Sequence, residues 1–505
     1  MDHNAQDGGV SYESDVRSLA KASKRPVGAL LALLLLVNLS ASLYQLPLNR
    51  VIERRLCLEY YAAHDPSQIG DDGDILEDLC KVDDVQRGLA WIQGAMDTAW
   101  IVGDFVMTIP LGFMAERYGQ RAILWLNLTP RLFMLSWAVV TGYFEQILPT
   151  KAIIAGPFLS VLGGDCVFNS ITYALAADMT DDYVLRATYF GWMSSVSYVV
   201  ALLGPALASA TMSVVLWFPF WIGIVLLILA IPVIIFLPIK GGCSVNHIDY
   251  TERAAEQSRP LLSSPILKAQ RSESSAFQSI MARFGTLKSI LESHPRNLTL
   301  LFASFFLTSL ASSDTKLLPQ YISKRYRWTF AGAGYLLSGK AVVNFILLTC
   351  IIPTVLRSRH SSPSVHSGSP DGSTDRANVG YARLCLLVSV LGAFAIAVAS
   401  KIWLLVPSLL VYALGSALPV FTLSLLKSSA LAPSRDIDME MDDAETPTFS
   451  LVMMTKTLGS LVGAPLMASL WVSGISSGGV AIGLPYFTSA LCYAVAIGVF
   501  SSIEL

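Results

Sequence analysis

Twelve mostly apolar stretches alternate with short polar gaps, each close to the ~20 residues that a helix needs to cross a hydrocarbon core. They fall at 26–48, 89–112, 121–144, 150–177, 187–209, 214–238, 297–320, 330–355, 380–400, 402–427, 448–472 and 478–501. A bilayer offers backbone N–H and C=O groups no partner outside the segment itself, so the pattern predicts spanning α-helices. Pro110, Gly204-Pro205, Pro232, Gly463 and Pro465 fall inside these runs. Membrane helices tolerate such residues where neighbours satisfy the freed backbone groups.

The polar stretch 240–296 divides the runs six and six. The chain therefore reads as an all-α membrane protein with twelve transmembrane helices in two six-helix bundles. A tail (1–25) precedes the first bundle (26–239), a linker (240–296) follows it, and 297–505 forms the second. Composition agrees: of 505 residues 53% are hydrophobic and only 14% charged, against ~25% charged in soluble chains. The net charge of -2 and the lack of a basic, aromatic-studded patch argue against a nucleic-acid partner. With the N-terminus in the cytosol, about 21 Lys and Arg lie on the cytosolic side, about 10 in outer loops and about four in helices, the bias that orients membrane proteins. Both termini are expected in the cytosol.

Cys57 and Cys80 share the first outer loop, 49–88, which is long and acidic. A disulfide between them is the preferred reading on that oxidising side; two free thiols, or a bond to another outer segment, are the alternatives. No cysteine–histidine spacing suggests a metal, and no cofactor is expected. The chain has no HExxH, and Gly474-Ile-Ser476-Ser-Gly478 matches a nucleophile elbow only in letters, because it joins two spans. An enzyme is not expected.

Ionised groups at mid-bilayer cost about 2.5–3.5 kcal/mol each, so each asks for a partner or a purpose. The first half carries Asn38, Asp97, Asp104, Arg131, Asp165 and Asn169 within its runs. Asp97 and Asp104, seven apart, share a helix face. Counting ~1.5 Å per residue from the polar gaps puts Asp104, Arg131, Asn38 and Asp165 at similar depths, ~12–20 Å from the cytosolic edge. An Asp104–Arg131 bridge is one expectation, with Asp97 and Asp165 left as proton or substrate groups. The second half offers Asp314, Lys316, Lys340, Asn344 and Lys456, of which Asp314 and Lys340 fall at similar depths and are candidates to pair. Tyr44, Trp91, Trp100 and Tyr173 are candidate cavity aromatics.

The gap between the second and third runs reads Gly112-Phe-Met-Ala-Glu116-Arg117-Tyr-Gly119-Gln-Arg121. It resembles the Gly-x-Leu-Ala-Asp-Arg-x-Gly-Arg/Lys-Arg/Lys signature of the major facilitator superfamily, at the place where that family carries it. Glu116, Gln120 and Met114 depart from the pattern. The resemblance implies a cytosolic charge latch of Glu116, Arg117 and Arg121, with Gly112 allowing close packing, Gly119 a tight turn, and Asp178, Arg186 and Lys456 nearby. Gly191 with Gly204-Pro205, and Gly459 with Gly463 and Pro465, resemble the family's helix-packing motif, which is associated with exporters. The Cys-containing loop, the stretch Trp91–Arg121 and Leu318-Pro319-Gln320-Tyr321…Arg325-Tyr326-x-Trp328 are similar to fungal relatives of the proton-coupled folate transporter branch.

These readings converge on a secondary active transporter that moves a small organic molecule by alternating access and draws on protons. Efflux of a metabolite or toxic compound is preferred. Proton-coupled uptake of an organic anion or nutrient is the alternative, with a transporter-like sensor behind it. The expected partners are the substrate, protons and lipid, around a monomer in the plasma membrane rather than the vacuolar one.

Overall fold

The computed structural model describes residues 8–70, 73–179, 183–237, 295–347, 370–418, 422 and 445–502. The linker 240–296 lies outside the described residues, apart from Pro295 and Arg296, which already belong to a helix. The first half comprises α1 (Gly8–His64), α2 (Asp83–Tyr118), α3 (Gln120–Tyr143), a 3-10 stretch (Thr150–Leu162) leading into α4 (Asp165–Asp178), α5 (Tyr183–Met212) and α6 (Phe218–Ile235). The second comprises α7 (Pro295–Ser312), a 3-10 turn (Ser313–Lys316), α8 (Leu318–Tyr326), α9 (Phe330–Ile346), α10 (Pro370–Val398), α11 (Ile402–Leu414), α12 (Glu445–Ser477) and α13 (Leu484–Ser501). Among the described residues there is no strand. Eight helical spans there are long and apolar enough to cross a membrane, and two shorter apolar helices accompany them.

Three elements depart from the hydrophobic pattern. The run 26–48 continues as helix to His64, because the next polar residues find partners: Arg50 pairs with Glu53 and Glu77, and Arg54 with Asp74 and Glu145. Val51, Ile52 and Cys57 bury the other side of this extension. Much of the presumed loop is therefore a rigid rod. The run 150–177 breaks in two. Pro157 lacks an N–H within the 3-10 stretch, and Gly163, at φ 139°, ends it. A Cβ at Gly163 would strike Asn127, and one at Gly164 would strike Asp104. The run 297–320 also breaks, into α7, the 3-10 turn carrying Asp314 and Lys316, and α8 with Pro319 in its first turn.

Each half has its own apolar core. Leu30, Leu33, Leu124 and Phe168 anchor the first, and Tyr321, Trp471, Tyr486 and Phe500 the second. Large apolar side chains such as Phe158, Phe236 and Trp403 point outward, as a lipid-facing surface requires. The halves meet along α2 with α12 and α5 with α9. At these seams a Cβ on Gly94 would sit 2.6 Å from that of Ala468, and one on Gly334 would sit 2.6 Å from Leu46 Cδ1. Both glycines lie towards the end that carries the 65–82 loop, called the loop face below. There Cys57 and Cys80 form the expected disulfide, with Cα atoms 5.2 Å apart.

Within the halves, three of the motif glycines sit at close contacts. Gly204 faces Ser42 of α1, while Gly459 and Gly463 lie against the Phe306 and Leu310 carbonyls of α7. Pro205 and Pro465 sit inside α5 and α12. Gly112 and Gly191 differ: a Cβ on either meets nothing within 4 Å among the described residues.

Candidate functional site

The break before α4 creates the site. A helix that starts inside a span leaves its first N–H groups without intrahelical partners. Asp104 of α2 supplies them: its carboxylate accepts from the Cys166 N–H at 2.8 Å and the Val167 N–H at 3.4 Å. Asn127 of α3 donates to the Gly164 carbonyl at 2.9 Å. One turn along α3, Arg131 donates to Asn127 Oδ1 at 3.2 Å and to Asp165 Oδ1 at 2.7 Å. Trp100 donates its indole N–H to the other Asp165 oxygen at 3.3 Å. The Arg131 guanidinium also lies over the rings of Trp100 and Phe168. The expected Asp104–Arg131 bridge is thus replaced by Arg131–Asp165, because Asp104 is committed to the restarted helix.

Asp104, Asn127 and Arg131 are buried, whereas the Asp165 side chain is 61% exposed. It opens onto a cavity of about 60 Å³ between the halves. Tyr44, Gln45, Gln93, Asp97, Trp100, Arg131, Asp165 and Lys316 supply its polar and aromatic lining. Asp97 reaches Lys316 of the opposite half at 3.8 Å, an ion pair across the centre. Gln93 Oε1 is buried without a hydrogen-bond partner. Small-molecule pockets commonly run to ~300–1,000 Å³, so this cavity is contracted, with room for a few waters.

The second half holds its own polar cluster. Asp314 is fully buried and accepts from the Tyr412 hydroxyl at 3.0 and 3.2 Å, and Tyr412 in turn lies 3.2 Å from the Tyr493 hydroxyl. Lys340 sits over the Tyr412 ring, 5.0 Å from its centre. The expected Asp314–Lys340 pair is therefore separated by a tyrosine. Asn344 accepts from Ser416 at 3.2 Å. Asn38, Asp104, Asn169, Asp314, Lys340 and Asn344 do not line the central cavity, and neither do Trp91 and Tyr173.

At the opposite end, Gly119 forms the turn between α2 and α3 with φ 93°. Arg117 is exposed over Tyr118, and the half-buried Arg121 leaves its Nε unpartnered. The side chains of Glu116, Asp178 and Arg186 lie outside the described residues. Lys456 packs over Phe305 within its own half.

Sequence reading missed the cross-half role of Lys316, the cavity amides Gln45 and Gln93, and the bridging Asn127. Asn127 had a signal, standing four residues before Arg131 and so on its face of α3. Lys316 had none, since its partner lies in the other half.

The profile of the Major Facilitator Superfamily matches residues 88–464. The chain is 26% identical over 474 residues to the MFS efflux pump atnC of Emericella nidulans, covering 93% of this chain and 86% of the pump. It is 24% identical over 478 residues to the efflux pump ustT of Aspergillus flavus, with 93% and 86% covered. Among solved structures it resembles a D-xylose–proton symporter, at TM-score 0.58 and 12% identity with 96% and 98% covered. It also resembles the human organic anion transporter MFSD10, at TM-score 0.53 and 17% identity with 95% and 99% covered. Two helical halves around a polar centre and the matching profile agree: the chain belongs to the major facilitator superfamily, and it is a secondary transporter rather than an enzyme.

Proposed function

We propose that this protein exports a small organic compound from the cytosol in exchange for protons, by rocking its two halves about the Asp97–Lys316 and Arg131–Asp165 centre. The observation that carries the reading is Asp165. It is an acid at the start of a half-helix, held by a buried arginine on one side and open to the central cavity on the other. Midplane sites at broken helices between two rocking halves are a recurrent transporter design. Protonation of Asp165 loosens its hold on Arg131, and protonation of Asp97 frees Lys316, so both ion pairs offer a proton a route to change how the halves meet. The fungal efflux pumps support export as the direction. The N-terminus is assigned to the cytosol, the loop face to the outside, and the site of action to the plasma membrane.

A second reading, proton-coupled uptake, is favoured by the similarity of Trp91–Arg121 and Leu318–Trp328 to the folate branch. Expression in a compound-sensitive fungal host separates the two. Export lowers the intracellular level of a fluorescent compound, and a protonophore restores it; uptake raises that level. Unchanged accumulation across a broad compound panel counts against both and favours a sensor.

A further inference from the structure

A cluster of deeply buried charges lies at the loop face, away from the transport centre. Glu53 of α1 is fully buried and Lys81, on the short 3-10 turn Glu77–Lys81, is nearly so. Lys81 Nζ donates to Glu53 at 2.8 Å, to Glu77 at 3.3 Å and to Ser323 Oγ at 2.5 Å. Gln86 adds a bond to Glu53 at 2.6 Å, and Arg50 pairs with both acids. Two acids and two bases make the cluster neutral. Charges are seldom buried this deeply unless paired, because desolvation costs several kcal/mol per ion.

The partners divide in an informative way. Every ion pair of this cluster lies within the first half. The bonds that cross to the second half are different: Lys81 to the Ser323 hydroxyl, the Phe330 N–H to Glu77 at 2.8 Å, and the Gln320 amide to Asn49 at 2.9 Å. Lys324 crosses back to Asp83 and to the Lys81 carbonyl. Parting the halves here breaks hydrogen bonds, the contact of Lys81 Nζ with the Phe330 ring and the Lys324–Asp83 pair, whose acid is exposed, yet leaves every ion pair of the buried cluster intact. Each such bond exchanges for one to water when the halves part, so its net strength is one that thermal motion and substrate binding can overcome. Cys80 adjoins Lys81, and its disulfide to Cys57 ties that turn to α1 one helical turn beyond Glu53.

We propose that Lys81 is the latch of the loop-face gate in the transport cycle, and that the Cys57–Cys80 disulfide keeps it with its own half when the gate opens. Lys81 acts as a positioning residue: it touches no substrate, and it sets how often the central cavity opens to the loop face. The inference rests on the alternating-access part of the proposed function and not on its proton coupling, because the test uses neither compound nor gradient.

The test places a reporter cysteine in the cavity wall, Ala41→Cys with Cys166→Ser, and measures its labelling by a charged, impermeant thiol reagent. Sealed vesicles of both orientations are used, and signal from the same protein without the reporter is subtracted. Lys81→Met raises labelling from the loop face by about tenfold or more, the shift expected when several coupled bonds are lost. Ser323→Ala removes the cross-half bond, together with a local one from Ser323 to the Trp328 carbonyl at 2.9 Å, and raises it by about two- to tenfold. Labelling from the opposite face falls or stays constant. Should Lys81→Met fail to fold, Ser323→Ala decides alone. Loop-face labelling unchanged in a variant with wild-type thermal stability overturns the proposal, as does an equal rise from both faces, which marks general loosening.

Discussion

Arg131 and Asp165 show how one broken helix distributes roles among residues. Because α4 restarts at Asp165, its free N–H groups occupy Asp104, and Arg131 is left to the acid that faces the cavity. Asp165→Asn preserves an acceptor for Arg131 but cannot change charge. The expected outcome is a folded protein that binds compound yet no longer accumulates it under an imposed pH gradient, read as vesicle uptake together with thermal stability. Arg131→Ala differs, since it removes the buried guanidinium that holds both Asn127 and Asp165 and costs about 1–3 kcal/mol, visible as a fall in melting temperature. Both residues were legible in the sequence as charges where charges are expensive. Their pairing was not, because the depth count put both Asp104 and Asp165 within reach of Arg131 and could not show that a helix restarting at Asp165 would claim Asp104. The run 150–177 reads as one helix, and only the crowding by Asn127 and Asp104 shows why glycine is needed at Gly163 and Gly164.

Helices that read as uniform apolar runs proved to differ in what ends them. The α1 extension to His64 could not be read from hydropathy, since it depends on Glu77, Asp74 and Glu145 arriving from elsewhere. Asp74 anchors this edge. Partial burial pushes its carboxyl up, but the Arg54 hydrogen bond and the Ile75 N–H outweigh this and hold it below the usual carboxylate range. A depressed folded value means that the grip is present above the unfolded pKa of ~3.9 and is lost as pH falls through the lower folded value. Hydrogen-exchange protection of the 65–82 loop, corrected for the intrinsic pH dependence of amide exchange, should therefore be constant from neutral pH to about 5 and fall only below about 4; a fall near pH 6 would point elsewhere. The glycines offer a second contrast. Gly94→Val crowds Ala468 across the seam between halves, whereas Gly463→Val crowds α7 within one half. The first is expected to change transport rate with little loss of melting temperature, and the second to lower stability by roughly 1–3 kcal/mol. Equal melting losses would contradict that division.

At the scale of the whole molecule, two halves, each with a core of its own, meet along seams where Gly94 and Gly334 permit close approach. The loop face is closed by polar bonds across the seam, and the centre is contracted to about 60 Å³. An all-helical membrane fold was readable because a bilayer leaves backbone groups so few alternatives, and eight spans with two shorter apolar helices stand among the described residues. The relation between halves was not, because contacts such as Asp97–Lys316 join residues 219 positions apart by number (316 − 97) and carry no local pattern. The central claim is that ionisable groups in this one cavity tie proton movement to compound movement. The most direct measurement is compound-evoked proton flux in sealed vesicles carrying a trapped pH indicator. The account predicts a proton flux opposite in direction to compound and absent in Asp165→Asn. Compound movement with no accompanying flux, or an undiminished flux in Asp165→Asn, would contradict it.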